Sequence, residues 1–282
     1  MRSKQQRPHE EAGATQPLFQ GFSASTFEWF AGLEHDNSRE YFKAARDRYE
    51  ADVRVPFTLM LQELSGTFGG TVHVFRQQND MRFAPSTPFK TRTYGVLDFE
   101  APVRARLYAD ISARGLYAGA GYHRLASDQL RRYRDAVVDA QPGARLTEAL
   151  VATRRAGLEL ISDSMASVPR GFPRDHPRDE MLRFRSLLVG RLTAGTSRVG
   201  RDDAVGHVAG TWRAAAPLTN WLDEHVGARH GGAALRTDRS ERYDRAPVMS
   251  RSRSNNADTN RYPTTSSTSS STAKKTTSRG VI

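Results

Sequence analysis

Apolar residues recur along this chain in three successive patterns, and each predicts a different kind of element. Phe27, Phe30 and Leu33, behind Ser25 as a start signal, predict a short helix that follows the ordered opening Phe19-Gln20-Gly21-Phe22. Asn37 with Glu40 three residues on reads as a capping box. Phe42, Ala45, Tyr49, Val53, Phe57, Met60 and Leu64 then recur at spacings of three and four, which is one buried helical stripe. Pro56 within it lacks an N–H and displaces the carbonyl one turn back, so the helix is expected to kink or restart there.

After Gly69-Gly70 the period shortens to two. Val72, Val74 and Phe75 predict a first strand, Met81 and Phe83 a second, 93–97 a third and 105–112 a fourth, which turns at Arg114-Gly115 into 116–120. Such short turns imply antiparallel pairing. Helical spacing returns at 127–138, 146–156, 178–192 and 217–226, with Ser127, Thr147 and Asp175 as start signals and Pro217 in a first turn. Trp29, Trp212 and Trp221 fall in apolar stripes and read as core. The expected class is α+β, a central antiparallel sheet of about five strands flanked by N- and C-terminal helices.

Composition limits where that fold can lie. Residues 1–17 are polar, and 264–272 are an unbroken Thr/Ser run that cannot bury enough apolar surface to offset its ordering entropy. We therefore expect a disordered segment at 1–17, one α+β domain at 18–227 and a disordered basic tail at 228–282. The net charge of +11 sits mostly in that tail: its eleven Arg and Lys against four acids leave a surplus of seven there and four elsewhere. Cysteine is absent, which removes disulfides, thiolate catalysis and Cys-ligated zinc and fits a cytoplasmic location. No apolar run approaches the roughly 18 residues of a spanning helix, so no membrane insertion is expected.

The chemistry-bearing stretch is Asp80-Met81-Arg82-Phe83-Ala84-Pro85-Ser86-Thr87-Pro88-Phe89-Lys90-Thr91-Arg92. Two prolines stiffen a reversal that carries three cations, and Arg39 stands at a helix start nearby. Arg39, Arg82, Lys90 and Arg92 are thus candidates to hold a phosphate or carboxylate, the fork of Arg and the compact charge of Lys both suiting an anion. The competing reading is that of solvated or salt-bridged cations. Tyr117, Tyr122, His123 and His176 are the candidate surroundings of such a pocket. Gly115, Gly119 and Gly121 bracket the two tyrosines; their lack of side chains admits a ligand's approach or, more simply, close packing. Asp175 before Pro177 reads as a helix cap, and no spacing places two metal ligands on one face, so no metal is assigned. Arg183, Arg185 and Arg191 read as a solvated helix face.

Several blocks resemble one family. Phe19-Gln20-Gly21-Phe22, Asn37-Ser38-Arg39-Glu40-Tyr41-Phe42 with Arg46 and Tyr49, and Arg82-Phe83 with Pro88-Phe89-Lys90-Thr91 resemble successive blocks of the bacterial and fungal domain-of-unknown-function family 2461. So do Gly115-Leu116-Tyr117-Ala118-Gly119-Ala120-Gly121-Tyr122, Pro169-Arg170-Gly171-Phe172-Pro173-Arg174-Asp175-His176-Pro177 and Pro217-Leu218-Thr219-Asn220-Trp221-Leu222. The resemblance spans about residues 19–226 and implies a fold without an activity. The Asp-Lys pair usual in the family's proline loop is replaced here by Pro85-Ser86, so no role is carried over for that pair.

The first functional expectation is a small anionic ligand in a basic pocket, with no cofactor named and no reaction specified. The alternative is a nucleic-acid or protein interaction module in which the tail at 228–282 supplies affinity by counterion release. A metal-dependent hydrolase using His123 and His176 is the third.

Overall fold

The long stripe from Phe42 to Leu64 folds as one helical rod broken into registers, and the period-two region folds as the sheet it covers. The structure, a computed structural model, describes residues 18–80, 82, 86–99, 105–193 and 198–228. In chain order the elements are β1 (Gly21–Phe22), α1 (Ala24–His35), α2 (Arg39–Ala44), α3 (Arg46–Arg48), a π-helical segment (Tyr49–Arg54), α4 (Val55–Phe68), β2 (Thr71–Val74), β3 (Arg92–Asp98), β4 (Arg106–Ser112) and β5 (Gly115–Tyr122). There follow α5 (Ser127–Val138), α6 (Ala140–Arg155), β6 (Glu159–Ile161), α7 (Asp179–Leu182), β7 (Leu187–Thr193), β8 (Val199–Gly200) and α8 (Arg201–His225). The class is α+β: one antiparallel sheet in the order β2-β3-β4-β5-β7-β6, packed by helices, beside the small pair β1-β8. The expectations for 1–17, for the chain beyond Ala228, for a strand through Met81 and Phe83 and for Pro85 lie outside the described residues.

One face of the sheet carries the main core. Leu97, Ala109, Ile111, Leu116, Ala118, Ala120, Leu187 and Val189 are buried with Phe57, Leu61 and Leu64 of α4 and Val208, Trp212 and Leu218 of α8. The opposite face carries aromatic rings. Phe75 stacks on Tyr94 at 4.5 Å, and the Tyr108 hydroxyl donates to that of Tyr117 at 3.2 Å. Gly119 and Gly190 make this possible, since a Cβ on either would meet the hydroxyl of Tyr108 or of Tyr117, at 2.5 and 2.2 Å. Close packing is thus what Gly119 provides.

Pro56 acts as expected, with a detail the sequence does not give. The missing proline N–H frees the carbonyl of Asp52 inside the π-helical segment, and the buried Thr26 hydroxyl of α1 donates to it at 2.6 Å. Thr26→Val keeps the shape and removes the donor. It is expected to lower the unfolding free energy by about 1–2 kcal/mol, read from denaturant midpoints at unchanged slope.

Three predicted helices differ from the observed ones. The stretch 178–192 is not one helix: α7 ends at Leu182 and β7 begins at Leu187. Leu187, Leu188, Val189 and Gly190 are all buried, and a short apolar run of that kind has no period that separates strand from helix. Asp175 therefore caps nothing, the cap position being Arg178 with no side-chain bond. Arg183, Arg185 and Arg191 do not share a helix face; the first two face Asp179 and Asp163, and Arg191 Nε donates to Thr211 at 2.9 Å. Helix α6 starts at Ala140 under an Asp139 cap rather than near Thr147, whose hydroxyl donates back to Gly143. Helix α8 runs through Pro217, because Trp212, Ala215, Leu218 and Leu222 bury one continuous stripe that outweighs a proline's cost of about 3 kcal/mol. No helix among the described residues is long and apolar enough to cross a membrane.

Candidate functional site

A cleft of about 520 Å³ opens between the rod formed by α2, α3 and the π-helical segment on one side and residues 76–79 with Pro88 and Phe89 on the other. Its walls are fixed by polar side chains facing inward. Ser38 caps α2 by accepting from Tyr41 N at 3.0 Å. Asn37, predicted as the cap, instead joins the rod to the opposite wall: its Nδ2 donates to Phe89 O at 3.1 Å and its Oδ1 accepts from Phe89 N at 2.9 Å. Phe42 of α2 stacks on Phe89 at 4.1 Å, nearly parallel.

Gln77 is the hub beneath the floor. Its Oε1 accepts from the Tyr49 hydroxyl at 3.2 Å and from Thr93 at 2.9 Å, while its Nε2 donates to the carbonyls of Lys90 and Arg92. Burial pushes the Tyr49 phenol up, with the Thr93 hydrogen bond opposing, so it stays neutral and adds no negative charge to the cleft. Asn79 closes the far end, its N–H donating to Pro88 O at 2.8 Å and its amide to Thr87 O at 2.6 Å.

The cleft is strongly basic. Arg39, Lys43, Arg46, Arg54 and Arg76 line it, against Glu50 as the one acid among the described lining residues. Glu50 is already held by Arg54 at 3.2 Å. Arg39, Lys43, Arg46 and Arg76 are exposed, and among the described residues no ion pair or hydrogen bond engages their side chains. Cations crowded round one concavity repel one another, and an anion there relieves that repulsion while receiving several donors at once.

The four cations expected to converge do not. Arg39 lines the cleft. Lys90 lies behind it, only 7 % exposed, with Nζ donating to the carbonyls of Arg76 at 3.0 Å and of Gln78. Its ammonium holds the wall in shape. Arg82 is exposed and forked onto Asp80, with Nε 3.0 Å from Oδ1. Arg92 projects on the aromatic face of the sheet, its guanidinium 5.7 Å above the Tyr94 ring. The expected surroundings are dispersed too: Tyr117 is bonded to Tyr108, Tyr122 donates to Asp223 at 3.3 Å, His123 follows β5, and His176 Nδ1 accepts from Arg178 N at 3.1 Å. None of these four lines the cleft among the described residues. No three His, Asp or Glu side chains among the described residues are grouped to hold a metal ion.

The cations that sequence reasoning missed carry a legible signal. Lys43, Arg46 and Arg54 follow the already noted Arg39 at helical spacings, with the acid Glu50 between the last two, a stripe beside the apolar one. Arg76 has no such signal and joins them only through the sheet.

A second charged group lies on the aromatic sheet face. Asp110 is paired in register with Tyr94 and Tyr117. Burial pushes its carboxyl up to about 6, although Arg92 and Arg114 favour the ionised form.

A family model described as a conserved hypothetical protein (DUF2461) matches residues 25–221. No curated protein and no solved structure matches the chain.

Proposed function

The chain belongs to the family of conserved hypothetical proteins DUF2461, a name that carries no activity, and we propose from its own residues that it binds a phosphate- or carboxylate-bearing ligand in the basic cleft. The observation that carries this reading is the set of four cations, Arg39, Lys43, Arg46 and Arg76, gathered round one 520 Å³ concavity with no carboxylate among the described residues to neutralise them. The wall behind them is held by Asn37, Gln77 and Lys90, so the cations stand on a framework that needs little reordering when an anion arrives. The binding half of the sequence expectation is kept. Its residues change: Arg39 stays, and Lys43, Arg46 and Arg76 take the places of Arg82, Lys90 and Arg92.

The test is a thermal-shift series on the full chain at low salt with orthophosphate, a sugar phosphate, a nucleoside monophosphate and a dicarboxylate. At least one should raise the melting temperature by several degrees, and the Arg46→Ala/Arg76→Ala double variant should lose most of that shift while melting normally without ligand. A flat profile, or a shift that survives the double variant, would remove the cleft from consideration.

A further inference from the structure

Resting on that reading, we infer that the ligand is a strand rather than a single small anion: the cleft binds the backbone of single-stranded nucleic acid, without regard to sequence. The charged row is longer than a single phosphate can span. From Arg39 to Arg46, short of the Glu50–Arg54 pair, the cationic row spans about 10 Å at a helical rise. Arg39, Lys43 and Arg46 stand on one side of it at steps of about 6 Å, the separation of side chains three and four apart. One phosphate reaches one or two of these groups. A chain that carries a negative charge on every nucleotide meets them in turn and releases a counterion at each.

The opposite wall fits the same occupant. Arg76 faces the row across the cleft, and Gln78 beside it is exposed. A flexible strand enters such a trough, whereas a duplex presents its phosphates on a convex cylinder that the two walls would hold apart. Sequence independence follows from the aromatic lining. Phe42 and Phe89 are stacked on each other and more than nine-tenths buried, so they do not offer free faces to bases. Recognition then rests on phosphates, which carry no sequence information.

The decisive experiment measures binding of a fluorescein-labelled eight-residue oligothymidylate to the full chain by anisotropy across a salt series. The triple variant Arg39→Ala/Lys43→Ala/Arg46→Ala is compared with a matched control, Arg131→Ala/Arg154→Ala/Arg155→Ala, which removes equal charge from exposed positions on α5 and α6. For three phosphates lost at about 0.7 each, the salt slope of the cleft variant should fall by about 2, and that of the control by less than 1. Unlabelled thymidine monophosphate should compete only at concentrations a hundredfold or more above the oligonucleotide. Equal slopes in the two triples would overturn the inference and assign the affinity to charge elsewhere on the chain. Competition by the monophosphate at comparable concentration would overturn it too, but would leave the anion cleft standing. If neither oligonucleotide nor monophosphate is displaced by cleft substitutions, the anion reading itself fails. Inorganic polyphosphate as a competitor separates the sources of the chain: displacement as effective, per phosphate, as by unlabelled oligonucleotide would overturn the nucleic-acid assignment.

Discussion

Replacing Lys90 by methionine is expected to lower the unfolding free energy by about 3 kcal/mol and to abolish ligand binding with it. The methionine is close in volume, so packing is not what is lost. The Lys90 ammonium donates to the carbonyls of Arg76 and Gln78, and both would be left half-buried beside an apolar chain end that cannot donate. The wall carrying Arg76, Gln78 and Asn79 would loosen, because its bond from Lys90 N to Gln77 O and the amide of Gln77 are anchored at the same residue. Arg39→Ala gives the opposite pattern, with stability near that of the wild type and weakened binding, since Arg39 is exposed and anchors nothing. Urea midpoints at constant slope, set beside ligand-induced melting shifts for the two variants, separate a residue that shapes the cleft from one that lines it. Equal stability of Lys90→Met and the wild type would contradict the structural role given to the ammonium.

The second large effect is a pH dependence of folding. In the folded chain the Asp110 carboxyl titrates at about 6, above the value near 4 of an unfolded aspartate. Folding therefore favours the protonated form. The stabilisation linked to that proton is fully present below about pH 4 and is lost as the pH rises to about 6 and beyond. The difference between the two values corresponds to at most about 3 kcal/mol. Asp110→Asn removes the charge at every pH, so the variant should match the wild type near pH 4 and exceed it in stability at pH 7.5, by up to that amount. Denaturation at the two pH values checks it. A variant less stable than the wild type at pH 7.5 would show that attraction from Arg92 and Arg114 outweighs burial.

The parts of the fold that were legible in the sequence are those where periodicity and punctuation agree. The stripe from Phe42 to Leu64, the strand over 105–112 with its turn at Arg114-Gly115, and the helix over 127–138 all lie where the pattern placed them, within a residue or two. Strand β7 was illegible because its buried run has no period, and the first half of α8 because Pro217 reads as a helix start although the buried stripe begins at Ala204. Of the residues in the proposed cleft, the sequence pointed to Arg39 alone. The proline loop carries Lys90, yet an ammonium with two carbonyls at hydrogen-bonding range is a strut, and nothing in the sequence shows which way a lysine on a hairpin turns. Arg92 was lost to the alternation of the strand: it directly precedes Thr93, which bonds to Gln77 under the cleft, and that single step sends the two to opposite faces. The row at Arg39, Lys43 and Arg46 was readable as a stripe of its own, but only the fold shows that it borders a concavity that Arg76 faces.

The most direct test of the cleft is an amide NMR titration of the isotopically labelled full chain with a nucleoside monophosphate at low salt, followed by the same titration of Arg46→Glu. Shifts should concentrate at residues 39–54 and 76–79 and saturate, and the charge reversal should weaken binding at least tenfold without moving the rest of the spectrum. Shifts centred on the start of α8, or spread over the chain without saturation, would contradict the cleft as the binding site.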